Sequence, residues 1–324
     1  MWRRLKARLG AREPEPVFAS RHGGLWIDRE DWRRLAQVAR LAQAQVDQIQ
    51  QFVEDGYMIL PGAATSAAVD AFRARISQGF ERGDDRLLYQ PPGDDRGRPL
   101  AAGVERRGTR IVDSYAAAPE ALDLFTSPAL AAFLELIFGE PALLFQSLSF
   151  EQGSEQGLHQ DTAYVVVNRP LELAACWIAL EDVQPGSGEL MYAPGSHRGP
   201  EFQFSPDRKH WNAQIDGPEI HAEWSAELIR RAEAGRGVVR FRPRKGDIFV
   251  WHADLAHGGA PIENPQLTRR SLVGHFCPVS ARPHYFSYRP DRASVRGYGS
   301  LSYCSEHYDL GAAHRGPQGR GGRA

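Results

Sequence analysis

The stretch GDIFVWHADLAHGGAPIENPQLTRRSLVGHFCP, residues 246–278, holds two strand-like runs, GDIFVWH and RRSLVGHFCP, separated by Gly, Pro and Asn. β-branched and aromatic residues suit a pleated, half-buried backbone, whereas Gly, Pro and Asn interrupt it. The same texture reaches back to Pro141. ALLFQSLSF (142–150), TAYVVVN (162–168), LAACWIAL (173–180), ELMYAPGSH (189–197) and GVVRFRP (237–243) are short runs of this kind. Many short strands divided by turn residues predict a β-sandwich or barrel. Residues 199–236 break the series with Pro, Lys, His and Trp and then a helical piece, SAELIRRAEAG, so they read as an insertion between two strands.

Upstream of Pro141 the periodicity is helical. REDWRRLAQVARLAQAQVDQIQQFVEDGY (29–57) sets Trp32, Leu35, Val38, Leu41, Val46, Ile49 and Phe52 near helical spacing, which predicts one helix ending at Gly56. TSAAVDAFRARISQGFERG (65–83) opens with a Thr/Ser cap and ends at Gly83; SPALAAFLELIFGEP (127–141) runs from Ser127 to Gly139. Between them, residues 83–109 are rich in Gly, Pro, Asp and Arg and read as a long loop over the site. The predicted fold is mainly β with helices (α+β), a jelly roll or barrel with a helical N-terminal layer on one sheet face. The expected organisation is a helical arm over 1–50, a catalytic domain over 51–290 with the 199–236 insertion, and a C-terminal extension over 291–324 ending in a disordered Gly/Arg tail.

Composition limits the function. A formal net charge of -1 over 324 residues argues against a nucleic-acid-wrapping protein. The N-terminal MWRRLKARLGAR is basic but has no apolar core of a secretory signal, and no apolar run has the length of a membrane span. Cys176, Cys277 and Cys304 are widely spaced and form no CxxC pair, so neither a disulfide framework nor a structural zinc site is indicated, and a cytoplasmic location is expected. No Gly-rich phosphate loop follows a strand, which removes Rossmann and P-loop readings.

His-x-Asp occurs three times: His159/Asp161, His252/Asp254 and His307/Asp309. An oxygen-activating non-haem iron(II) takes two histidines and one carboxylate on one face and leaves the other positions open. Residues i and i+2 on a strand point the same way, so such a pair supplies two ligands, and a distant strand must bring the third. His159/Asp161 introduces the run YVVV, and His257 follows far downstream before Gly-Gly. His252/Asp254 with His257 could instead form a local H-x-D-x-x-H site. His307/Asp309 lies near the tail and reads as a surface feature. If 2-oxoglutarate chelates the metal, its far carboxylate calls for a deep cation, best an arginine. Arg269 stands twelve positions after His257. Alternation puts Arg269, Ser271, Val273 and His275 on one face of its strand, with Arg270 as the other choice.

These segments resemble the phytanoyl-CoA dioxygenase (PhyH) family of iron(II)/2-oxoglutarate oxygenases. The resemblance lies in FVEDGYMILPG (52–62), FQSLSFEQGSEQGLHQDTAYV (145–165), WIALEDVQPGSGELMYAPGSHR (177–198) and residues 246–278, in that order. It implies a double-stranded β-helix and iron ligands at His159, Asp161 and His257. It further implies Arg269 on the distal carboxylate of 2-oxoglutarate and Gln146 beside the cosubstrate, with O2 as oxidant. Family members often carry Ser two residues after the distal histidine, where this chain has Gly259. Halogenating relatives lack the aspartate, so Asp161 implies hydroxylation or another oxidation. Two rival classes are a degenerate jelly-roll binding module and a cupin-type isomerase or lyase.

For a small-molecule substrate, Tyr164, Trp177, His197 and Trp251 are the candidate contacts, with core or turn packing as the alternative for the tryptophans and His197. Arg106, Arg107 and Arg110 could meet an anionic substrate. Lys209, His210 and Trp211 of the insertion are further candidate contacts.

Overall fold

The computed structural model describes residues 15–311; the basic segment 1–12 and the tail 314–324 lie outside the described residues. Helices α1 (Trp32–Ala39) and α2 (Gln43–Asp55) lead into strand β1 (Tyr57–Leu60) and helix α3 (Ser66–Arg82). Strands β2 (Asp84–Gln90), β3 (Arg98–Leu100) and β4 (Arg110–Val112) precede helices α4 (Pro119–Phe125) and α5 (Pro128–Phe138). Next come β5 (Ala142–Phe150), β6 (Ala174–Ala179) and β7 (Leu190–Tyr192), then α6 (Pro218–Ala234). Strands β8 (Val239–Phe241), β9 (Ile248–His252), β10 (His257–Gly259) and β11 (Ser271–Pro278) follow. Helix α7 (Tyr285–Tyr288) and the hairpin β12 (Arg296–Tyr298) and β13 (Leu301–Tyr303) complete the described chain.

Ten strands form the major sheet, whose path is β1-β9-β6-β11-β5-β4-β2-β3 with β13 pairing β5 and β12 pairing β13. Three strands, β10-β7-β8, form the minor sheet opposite it. Alternation along the major strands decides which side chains meet which layer. Ala174, Cys176, Ile178, Ile248, Val250, Leu272 and Phe276 pack with the helices in one core. Their neighbours Ala175, Trp177, Ala179, Phe249, Trp251 and Val273 face inward and meet Leu190 and Tyr192 of the minor sheet. The jelly roll with a helical layer is therefore the fold, and its second core lines the space between the sheets.

Three local expectations differ. The predicted single helix over 32–52 is broken at Arg40, which adopts a left-handed backbone (φ 54°) and closes α1 through its N–H to Ala36 and Gln37. Both helices still turn apolar residues to the same core, which is why the periodicity carried through the break. Residues 83–109 are not a loop but largely the β2–β3 hairpin, and β4 joins it to β5 through Arg110↔Phe150 and Val112↔Leu148. Its charged, Pro/Gly-rich composition is that of an edge hairpin and its turn. TAYVVVN is not a strand. Asp161–Ala163 form a 3-10 turn, and only Val167 makes a bridge, to Pro283. Among the described residues no single helix is long and apolar enough to cross a membrane.

Candidate metal centre

His159 and His257 form an isolated antiparallel bridge. The His159 N–H donates to the His257 carbonyl at 2.8 Å, and the His257 N–H donates back to the His159 carbonyl at 2.9 Å. The reciprocal pair draws two segments about a hundred positions apart to one point and leaves the imidazoles 4.4 Å apart between centroids. Asp161 arrives from the turn that follows. One ligand atom from each of His159, Asp161 and His257 lies within 4.8 Å of the others, and all three residues are buried.

The tautomers suit ligation. His159 Nδ1 lies 2.9 Å from the Gly157 carbonyl, and His257 Nδ1 lies 2.9 Å from the Leu255 carbonyl. A carbonyl only accepts, so each Nδ1 carries the hydrogen and each Nε2 keeps its lone pair. Those Nε2 atoms face Asp161 Oδ1, at 3.9 Å for His159 and 3.5 Å for His257. The other oxygen, Oδ2, accepts from Trp251 Nε1 at 2.8 Å and sits 3.6 Å from His275 Nε2. Asp161 thus presents one oxygen to the histidines while its partner is held in the wall. Burial raises the Asp161 pKa, but His257, His275 and His159 pull harder and leave it below the ordinary carboxylate range. Burial, helped by His257, holds His159 down at about 4, so it is neutral and able to ligate at ordinary pH.

Arg269 and Arg270 have different surroundings. Arg269 is 3 % exposed and faces the inner core. Its Nε donates to the Gly188 carbonyl at 3.0 Å and its Nη1 to Ser271 Oγ at 2.8 Å. The guanidinium sits 5.5 Å from the Trp177 ring and 5.9 Å from Phe150, and has no ion pair with any described residue. Burial lowers its pKa to about 10. Arg270 points to the other face and pairs with Glu151 at 3.1 Å and Glu181 at 2.8 Å. Gln146 lies opposite His275 in the β5–β11 register and borders a cleft of about 210 Å³ beside the triad.

The remaining sequence candidates separate. Tyr164 stands with its ring 5.8 Å from His159, is 41 % exposed, and has its hydroxyl 2.7 Å from His221 Nε2 of the insertion. Trp251 holds Asp161 as described, and Trp177 is buried in the inner core. His197 lies elsewhere: its Nε2 donates to the Val53 carbonyl at 3.0 Å, and its ring packs 5.1 Å from His252. The local H-x-D-x-x-H alternative is not assembled. His252 Nε2 meets Asp28 at 3.3 Å, and Asp254 bonds Thr162 at 2.5 Å and Lys209 at 2.7 Å. Lys209 is therefore a buried ion-pair partner. His307 is half-buried at the wall of the cleft. The arginines expected to meet an anion are engaged, Arg106 with Glu151 (2.9 Å), Arg107 with Glu155 (3.1 Å) and Arg110 with Asp95 (2.6 Å). At Gly259, an added Cβ would come within 2.7 Å of Ser154 Oγ, so the serine common in the resembled family would collide here.

The supports that sequence reasoning missed are His275, the indole N–H of Trp251 and the Thr162–Asp254–Lys209 chain. Alternation in SLVGHF already put His275 on the face of Arg269 and could have flagged it. Nothing local signals the Lys209 contact.

Comparison with known proteins agrees with this architecture. The family described as phytanoyl-CoA dioxygenase (PhyH) matches residues 52–271. The peroxisomal phytanoyl-CoA dioxygenase of Homo sapiens is 28% identical over 259 residues, covering 74% of this chain and 70% of that protein. The Rattus norvegicus enzyme of the same name is 25% identical over 293 residues, covering 85% and 78%. Among solved structures, the epimerase SnoN, in complex with Fe3+, alpha ketoglutarate and nogalamycin RO, superposes with a TM-score of 0.55 at 20% identity, covering 80% of this chain and 93% of that one.

Proposed function

The chain belongs to the phytanoyl-CoA dioxygenase (PhyH) family, and on that premise we propose that it is an iron(II)- and 2-oxoglutarate-dependent oxygenase that hydroxylates a small molecule. The donor set fits the metal: two bare imidazole Nε2 atoms and one carboxylate oxygen, converging from one side, are the set that non-haem iron(II) oxygenases use. When bound, iron and 2-oxoglutarate supply the oxidising chemistry, with O2 consumed and the cosubstrate released as succinate and CO2.

The residues of the chain bind and orient. His159, Asp161 and His257 hold the metal. Arg269, buried and without an ion pair to any described residue, is poised to pair with a carboxylate through its planar fork, which suits the distal end of 2-oxoglutarate. Gln146, on the strand paired with β11, lines the cleft and can donate or accept a hydrogen bond there. Trp251 and His275 restrain the second oxygen of Asp161, and the inner core excludes water. Tyr164 forms the wall that a substrate would meet beside His159.

The observation that carries this reading is the His159–His257 bridge, which gathers three ligand atoms within 4.8 Å on the core that also buries Arg269. Its test is succinate release from 2-oxoglutarate by the purified protein with and without iron(II). Iron-dependent succinate, lost in His159→Ala and His257→Ala, is expected. If the wild-type protein neither binds iron nor turns over the cosubstrate, the reading fails.

A further inference from the structure

The charge of the cleft beside the triad bears on the class of molecule oxidised, and the inference rests on the triad being the oxygenase centre. The cleft runs from Gln146 and Tyr164 to His284, Tyr288, Glu306 and His307, with Asp113 behind them. An apolar side is supplied by Phe145, Val165 and Val166. Among the described residues no lysine or arginine lines it. Two carboxylates do. Asp113 is fully buried and accepts from the Ser147 N–H at 2.8 Å and Ser305 Oγ at 2.6 Å, and burial pushes its pKa up, so Glu306 is the carboxylate that brings charge to the cleft. Glu306 accepts from the Tyr288 hydroxyl at 3.0 Å.

Three arginines on neighbouring segments are committed to acidic partners. Arg110 pairs with Asp95, Arg208 with Asp216 at 2.5 Å, and Arg289 with Asp291 at 3.1 Å. His210, whose ring lies 5.9 Å from that of His284, is held below the ordinary histidine range by burial and by Arg208, so it adds no charge near neutrality. Phosphate recognition normally draws on arginine forks, lysines or backbone N–H nests. A coenzyme A thioester would bring several phosphate charges to a cleft that offers the Glu306 carboxylate instead. A compound with hydroxyl or amine groups finds acceptors at Glu306 and Gln146 and a donor at Gln146, while Phe145, Val165 and Val166 receive its carbon skeleton.

We propose that the molecule oxidised is a compact polar compound, uncharged or cationic where it meets the cleft, and that coenzyme A thioesters are not substrates of this protein. This departs from the compound for which the family is named.

The test uses the full chain loaded with Mn(II) and 2-oxoglutarate, and calorimetric titration with three probes: hexylamine, hexanoate and coenzyme A. Hexylamine is expected to bind about tenfold more tightly than hexanoate, because like charges in a partly desolvated cleft are costly to bring together. Coenzyme A is expected to give no binding up to about 1 mM, a level at which even weak specific contacts register. Glu306→Lys should reverse the order of the two small probes. With iron(II), palmitoyl-CoA should not raise succinate release. Binding of coenzyme A, stimulation by palmitoyl-CoA, equal or reversed preference for the small probes, or binding of neither would overturn the proposal. Basal iron-dependent succinate release in the same preparation reports separately on the oxygenase reading. An active enzyme that prefers hexanoate sinks only the substrate class.

Discussion

Lys209 Nζ lies 2.7 Å from Asp254 Oδ2, and both side chains are almost completely buried. Lys209 comes from the insertion, whereas Asp254 stands three residues before His257. Asp254 Oδ1 also accepts from Thr162 Oγ1 at 2.5 Å, and its carbonyl accepts from Gln160 Nε2 at 2.8 Å. The pair thus ties the insertion to the residues flanking two metal ligands.

Removing one partner of a buried pair leaves an uncompensated charge, which costs roughly 3–5 kcal/mol. Lys209→Met should therefore lower the thermal unfolding midpoint sharply and weaken metal binding, with Lys209→Met/Asp254→Asn recovering part of the stability. Differential scanning calorimetry and Co(II) titration check this. A single variant as stable as the wild type would show that the pair carries no structural weight.

Trp251→Phe keeps the ring and removes the N–H that holds Asp161 Oδ2. Loss of such a supporting bond typically costs roughly 10- to 100-fold in metal affinity. Co(II) titration should show a drop of that order with near-native circular dichroism. An unchanged affinity would mean that Asp161 is oriented by the fold alone.

Arg269 is buried without an ion pair to any described residue, so Arg269→Met should not destabilise the ligand-free protein through a broken ion pair. It should instead abolish the rise in unfolding temperature that 2-oxoglutarate confers by binding the folded state. Arg270→Met should do the opposite, costing stability by removing the 2.8 Å partner of Glu181 and one of the two arginines on Glu151, while leaving the 2-oxoglutarate effect intact. The reverse pattern would exchange the roles of the two arginines.

His197 is held down at about 4, chiefly by burial and then by His252. Below about pH 6.5 the unfolded chain takes a proton here that the folded one refuses. Stability is therefore lost as pH falls from about 6.5 towards 4, at up to about 1.4 kcal/mol per pH unit for this group. His252 works the other way. Burial lowers its pKa, but Asp28 and Asp254 together raise it more, so its charged form adds stability in acid that is lost as pH rises. In the metal-free protein, His197→Gln should flatten the acid limb of the stability curve measured by urea unfolding between pH 7 and 5. An unaltered slope would remove His197 from the account.

Much was legible because it depends on local order along the chain. Alternation in SLVGHFCP, the Gly stops at 56, 83 and 139, and the Thr65 cap are near-neighbour effects, and they carried the jelly roll and its helical layer into the linear text. The pairing of His159 and Asp161 with His257 was also readable, since the chemistry of a two-histidine, one-carboxylate centre demands a distant third ligand. The sequence alone could not tell that residues 83–109 would pair as strands, because an edge hairpin has too little buried surface to impose an apolar pattern. Nor could it separate Arg269 from Arg270, whose difference is which sheet face meets the inner core. Only the closed tertiary structure decided that Arg110 would spend its charge on Asp95, that His252 would turn to Asp28, and that Lys209 would be buried against Asp254. Each of those outcomes depends on which long side chain comes within about 3 Å of which opposite charge, and chain separations of 15, 224 and 45 residues carry no local trace of it.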